Sequence, residues 1–497
     1  MDEIITAIEK KQYKKEEKIT FASDVLTLVG GTTFAQILTI ISAPILTRLY
    51  GPEDFGVWAL YISITSIISV VSCMRYDYSI MLPESDKDAV NLVGLSFVAA
   101  LIISSSTLPV IWYFKEPILN ILNSPQMDNY LWLVAPFVFV NGIFLALNNW
   151  NSRTKHFKRL SVARISNSVS TTGTQMGFGL LGNTSAGGLI GGNVAGISMA
   201  TLVLGVQIWR DDKNLIKENI SWKKICEGVK RYHKFPLVDS WSALMNTISW
   251  QLPSFLLAAF FSPAIVGFYS LGFRLLQLPM SFIGSSISQV FFQRASRAKS
   301  DGTLEPLVEN VFRLLVVMGM FPILILTIVG SDVFVVIFGK AWAEAGVYAQ
   351  ILSIWTFVWF ISSPLSSIYV VMEKQQFGFQ YSFFNLATRL ISLLIGGLLG
   401  NARIALILFS ISGILVYGYL CLKMMFYSGV KTSKALKVLY SSFLLFIPAG
   451  IILILFKIIG VNKIAIVLCS CMMICVYYIY ILKTDTQINE IRNQILK

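Results

Sequence analysis

Residues 28–83 read LVGGTTFAQILTIISAPILTRLYGPEDFGVWALYISITSIISVVSCMRYDYSIMLP. Two apolar runs are joined by a polar turn around GPED, and each is long enough for a bilayer core that needs roughly 20 residues of helix. Similar windows recur along the chain, at about 89–114, 128–150, 160–181, 186–209, 234–260, 264–290, 307–337, 346–372, 378–400, 402–424, 436–458 and 462–482. With 24–48 and 56–82 they predict an all-α polytopic membrane protein of about fourteen transmembrane helices.

The composition excludes the soluble alternatives. Of 497 residues 55% are hydrophobic and 13% charged, with a mean hydropathy of +0.67, where soluble domains run near a quarter charged. A single soluble core stops growing at about 250–300 residues, so this much apolar sequence is expected to face lipid. The net charge of +13 does not point to nucleic acid, because forty Lys and Arg and two His are spread along the chain. No GxxxxGK[ST] phosphate loop is present, and His156 and His233 lie in basic loops without metal-ligand spacing. No cofactor, no metal and no catalysis are therefore expected. The cysteines, Cys73, Cys226, Cys421, Cys469, Cys471 and Cys475, read as packing residues.

Charge fixes the orientation. The N-terminal MDEIITAIEKKQYKKEEK lacks the apolar stretch and cleavage site of a secretory signal, so it is expected in the cytosol. On that basis 31 basic residues fall on inner segments, three (Arg274, Arg313, Arg389) within spans, and six on outer ones: Arg48, Lys115, Lys340, Arg403, Lys457 and Lys463. Both termini are then cytosolic. The expected organisation is a basic segment 1–23, a first lobe 24–209 of six spans, a basic linker 210–233, a second lobe 234–424, two further spans in 425–482, and a tail 483–497. The linker, with Trp222 and Cys226, is expected to form a short interfacial helix. Pro52, Gly56, Trp58 and Leu60 recur as Pro263, Gly267, Tyr269 and Leu271, an offset of 211 residues, which predicts a parallel repeat.

Charges inside apolar spans are the functional candidates. An Arg at the bilayer centre costs about 2.5–3.5 kcal/mol on insertion scales, so Arg274, Arg389 and Arg313 are expected to line a central cavity. Asp239 is the clearest acid at depth, and two roles stay open for it: an ion pair with Arg274, or a site coupling a proton or sodium ion. Arg75, Asp77 and Arg164 lie near the inner mouth, where snorkelling to head groups is the alternative. Asn149 and Trp150, in the run Asn148–Asn151, suit either interfacial anchoring or sugar contact. Asn246, Trp250 and Gln251 continue the polar face of the seventh span. A basic inner mouth and buried arginines fit a carrier of a bulky anion, pyrophosphate being a group that Arg forks recognise.

The stretch 28–83, with FPLVDSWSALMN and SPAIVGFYSLGFRLLQLP, resembles the Wzx-type O-antigen and polysaccharide flippases of the multidrug/oligosaccharidyl-lipid/polysaccharide (MOP) exporter superfamily. The resemblance implies two six-helix lobes around a central cavity, related by a pseudo-two-fold, plus two C-terminal helices. It implies passage of an undecaprenyl-pyrophosphate-linked oligosaccharide from the inner to the outer leaflet of the bacterial cytoplasmic membrane by alternating access. Arg274, Arg389, Arg313 and Arg48 match the family's cationic cavity in character and depth. A polysaccharide polymerase and a chain-length regulator are the implied partners of a monomeric carrier. The alternatives are a cation-coupled multidrug exporter of the same superfamily, which favours an acid-rich cavity, and a polysaccharide polymerase or ligase, which needs a larger outer loop than this chain has.

Overall fold

The computed structural model describes residues 30–484, and every regular element among them is helical. The segment 1–23 and residues 485–497 of the tail lie outside the described residues. The chain divides at Gln251/Leu252 into two compact units. Unit 1 carries α1 (Gly30–Leu49), α2 (Pro52–Ser69), α3 (Tyr76–Ser79), α4 (Asp86–Ile121), α5 (Asp128–Leu131), α6 (Val134–Arg153), α7 (Phe157–Leu180), α8 (Ala186–Asn219) and α9 (Trp222–Arg231). The division falls within α10 (Ser240–Phe260). Unit 2 continues with α11 (Pro263–Leu276), α12 (Ser285–Asp301), α13 (Leu304–Phe338), α14 (Ala343–Ser362), α15 (Ile368–Val371), α16 (Gln375–Leu398), α17 (Ala402–Ser428), α18 (Thr432–Ile459) and α19 (Lys463–Thr484).

Each expected span coincides with a helix or a broken run of helices. Nine described helices are long and apolar enough to cross a membrane, ten if the pair bent by 50° between Leu131 and Val134 is one span. Those that fall short of this test include α2, α7, α10 and α11, so length and composition carry fewer crossings than the fourteen expected. The linker is shorter than expected, because α8 runs on to Asn219. The ten-residue α9 then packs on α4, with Ile225 buried and Lys224 Nζ 2.9 Å from Asp88. Cys226, Cys471 and Cys475 are exposed rather than packed.

The second expected span is broken. Met74 and Arg75 adopt φ of 51° and 62°, in the left-handed region, and the chain turns between α2 and α3. In unit 2 the corresponding stretch passes through a π-helical turn, Met280–Gly284, into the full helix α12. This explains a change in the repeat. The offset is 211 residues at Pro52 and Pro263, but 218 from α4 and α13 onward (86 to 304). It stays 218 at Lys155 (φ 57°) and Glu373 (φ 58°), which precede α7 and α16, and at Gly182 and Gly400, which follow them. The pentapeptide GLLGN stands at 179–183 and again at 397–401. Both copies end a 24-residue helix on a glycine of positive φ (85° and 67°), and the following Asn N–H reaches back to Phe178 O (3.0 Å) or Gly396 O (3.4 Å). Only glycine takes that conformation without cost.

Small residues set the helix spacing. Gly188, Gly192 and Gly196 recur every fourth residue on α8, where it lies along α7. A Cβ at Gly196 would stand 1.9 Å from Thr171 Oγ1 and 2.8 Å from the Asn167 carbonyl. In unit 2, α18 and α19 dock on α13: the Tyr477 ring stacks on Phe321 at 4.1 Å, and its hydroxyl donates to Val317 O at 2.7 Å. Gly196→Ala is expected to lower unfolding stability by about 1–3 kcal/mol. Gly191→Ala, which meets nothing within 4 Å, should leave it unchanged or slightly raised; thermal unfolding in detergent checks the pair.

Candidate functional site

The break after α2 aims a cation. Arg75 lays its guanidinium over the Tyr78 ring, 4.0 Å from the centroid, and its Nε donates to Asp239 Oδ2 at 2.8 Å. Asp239 ends the π-helical turn Phe235–Asp239 that leads into α10. The acid that sequence sets against Arg274 is thus engaged by Arg75 instead. The two side chains are 19% and 47% exposed, so the pair is worth under about 1 kcal/mol.

Beside it, Asp77 is buried and accepts from Asn149 Nδ2 at 3.1 Å. Trp150 is neither an interfacial anchor nor an open stacking platform. It is buried, and its Nε1 donates to Asp212 Oδ2 at 3.0 Å, joining α6 to α8. Asp211 and Asp212 both face Arg159, at 2.8 and 3.6 Å. The neighbouring Arg210, reinforced by Arg159, holds the Asp211 carboxyl below its usual range. A depressed carboxylate contributes its stability above the unfolded pKa and loses it as pH falls through the folded one, so the Asp211 carboxylate is charged at neutral pH. Arg153 donates to Asp86 Oδ1 at 2.7 Å and to Ile80 O at 3.1 Å. Arg164 Nη1 donates to Thr32 Oγ1, tying α7 to α1, and Arg48 is exposed in the last turn of α1. Gln251 Oε1 accepts from Ser63 Oγ at 2.9 Å.

The three in-span arginines occupy three different environments of unit 2. Arg274 is exposed near the end of α11, and Arg313 is half-buried on α13. Arg389 is 2% exposed on α16. Its Nη2 donates to Tyr417 Oη at 3.0 Å, and its guanidinium carbon lies 5.9 Å from the centroids of both Trp355 and Phe409. It is a caged cation, held by ring faces, rather than one lining an open cavity. Two residues were passed over by sequence reasoning. Tyr417 caps Arg389, and Asp332, buried on α13, pairs with Lys457 of α18 at 3.1 Å. An acid in the apolar run GSDVFVVIF was the available signal for Asp332; nothing local marked Tyr417.

Paired polar networks at one end of unit 1 and in-span arginines in unit 2, on long apolar helices, define a multi-pass all-helical membrane transport protein. A family model described as "Polysaccharide biosynthesis protein" matches residues 45–347. The chain belongs to that family, in agreement with the Wzx-type MOP resemblance carried by its first two spans. Among solved structures, "Lipid II flippase MurJ, inward closed conformation" is similar at a TM-score of 0.67 and 12% identity, over 91% of this chain and 98% of that one. A MOP superfamily transporter from Pyrococcus furiosus is similar at 0.54 and 13%, over 82% and 94%. An outward-facing multidrug resistance MATE family transporter of the same superfamily follows at 0.51 and 13%, over 82% and 95%. At these identities the likeness establishes the fold. No curated protein matches in sequence.

Tyr417→Phe is expected to cost about 1–3 kcal/mol, because it strips a hydrogen bond from a buried cation. Asp239→Asn should cost under about 1 kcal/mol. Chemical unfolding of the two variants in detergent should place them in that order.

Proposed function

We propose that this protein carries an undecaprenyl-pyrophosphate-linked oligosaccharide, an O-antigen or related surface-polysaccharide repeat unit, from the cytosolic to the outer leaflet of the bacterial cytoplasmic membrane. Its termini are cytosolic, its activity is transport rather than catalysis, and it works as a monomer with the pathway's polymerase and chain-length regulator as partners. The observation that carries the reading is an exposed arginine, Arg274, within an apolar helix of a chain from the polysaccharide biosynthesis family. A cation kept in such a helix at a cost of about 3 kcal/mol serves an anionic cargo, and guanidinium forks fit pyrophosphate oxygens in pairs.

In this reading spans one to six and seven to twelve form two lobes that alternate between inward and outward opening, with the last two spans appended. Arg274, Arg313 and Arg48 contact the pyrophosphate and first sugars. Arg389 contributes a fixed positive charge from its aromatic cage, and the lipid tail stays in the bilayer. Arg75, Asp77, Arg164, Asn149 and Trp150 shape the entrance. Asp239, which holds Arg75, couples the cycle to a proton or sodium ion.

In cells lacking the gene, lipid-linked repeat units should accumulate on the inner leaflet and be cleared by the wild type. Arg274→Ala should clear them at least roughly tenfold more slowly, the equivalent of one lost charge-assisted hydrogen bond, with partial recovery in Arg274→Lys. No accumulation, together with altered sensitivity to cationic drugs, would move the chain to the multidrug exporters.

A further inference from the structure

We infer that unit 1 holds a site for an anionic glycerophospholipid of the cytosolic leaflet, with an acyl chain in the cleft between α4, α6 and α8 and the headgroup phosphate at Arg210 and Lys213. The cleft has a volume of about 780 Å³ and is lined by apolar groups such as Val93 and Phe97 of α4, Leu147 of α6 and Val206 of α8. It exists because α4 and α8 each pack along α6 and touch one another more sparingly. Gly205 keeps its wall open: a Cβ there would meet only Leu147 Cδ1, at 3.8 Å. From Thr201 to Arg210, both lining residues, α8 rises about 13 Å at 1.5 Å per residue. That is close to half of a bilayer core about 30 Å thick, the depth of a single leaflet.

The mouth has the chemistry of a headgroup. Leu202, Val206 and Trp209, at helical spacing on α8, are 62%, 66% and 53% exposed, and Trp favours the level of the headgroups. Beside Trp209 stands Arg210 and one turn on Lys213, both exposed, followed a further turn on by Lys217, whose Nζ lies 5.3 Å over the Trp209 ring. The acids of that turn are engaged: Asp212 by Trp150 and Arg159, and Asp211 by Arg159 and Arg210. Asp211 takes the Nε of Arg210, and Arg210, Lys213 and Lys217 outnumber the nearby Glu218, so the mouth is net positive and, on the positive-inside orientation, faces the anionic leaflet. This assignment does not depend on what the protein carries.

Native mass spectrometry of the purified full-length chain, offered phosphatidylglycerol or phosphatidylethanolamine with identical acyl chains, tests the site. The wild type should retain phosphatidylglycerol roughly ten- to thirtyfold better, as two basic contacts imply. Arg210→Gln with Lys213→Gln should erase the preference, and Gly205→Trp should lower retention of both lipids. Should Gly205→Trp fail to match the wild type in circular dichroism and elution volume, Gly205→Leu replaces it. Equal retention of the two lipids by the wild type, a preference that survives the charge change, or retention unaffected by filling the cleft would each overturn the site. So would displacement of phosphatidylglycerol by undecaprenyl phosphate at equal concentration, since the cleft would then belong to the carried lipid.

Discussion

Every peptide group in the hydrocarbon must find its partner within the protein, because no water is there to take it. This constraint makes the chain helical, and it also governs where the helices are allowed to stop. The interruption after α2 lies where side chains and short turns take over: Ser72 N–H bonds Ser69 O at 3.1 Å, its hydroxyl donates to the same carbonyl at 2.8 Å, and Cys73 Sγ contacts Gly142 O at 3.2 Å. The interruption between α14 and α15 is patched similarly, with Ser366 donating to Ser363 O through both its amide and its hydroxyl. Both of these breaks fall in serine-rich stretches. Those stretches in turn decide which side chains leave the helical register.

Unit 1 and unit 2 share a plan but resolve that constraint differently. Where unit 1 breaks at Arg75, unit 2 runs on into α12, and the seven extra residues of the later offset are the result. The break in unit 1 swings Arg75 across to Asp239, 164 residues away. Around it, acids and bases satisfy one another through Asp77, Asn149, Trp150, Asp212 and Arg159. Unit 2 holds its buried cation differently, among Trp355, Phe409 and Tyr417, which come from two helices other than its own.

The helices, their order and the existence of a repeat were legible because they rest on hydropathy and on turn residues, which are local. The repeat was only partly read. The fixed offset of 211 held at α2 and α11 and hid the identical GLLGN copies at 218, since an insertion between them shifts every later match. Candidate residues were legible as types, through the cost of charge in apolar sequence, but their partners were not. Asp239 faces Arg75 because of two left-handed residues that no composition announces. Trp150 is buried because α8 extends past the expected span end and brings Asp212 to it. Arg389 is enclosed by rings contributed from positions 355, 409 and 417, a grouping that only packing creates.

Arg389 and Arg274 differ in their surroundings, the one buried among rings and the other exposed. A guanidinium is delocalised and weakly hydrated, so ring faces and a phenol oxygen can replace its water at modest cost. Arg389 is therefore held in place by its cage. Its field persists, because a charge in low-dielectric surroundings is poorly screened. Arg274, by contrast, is exposed near the end of α11. A fixed charge like that of Arg389 lowers the energy of a nearby anion without having to reorganise.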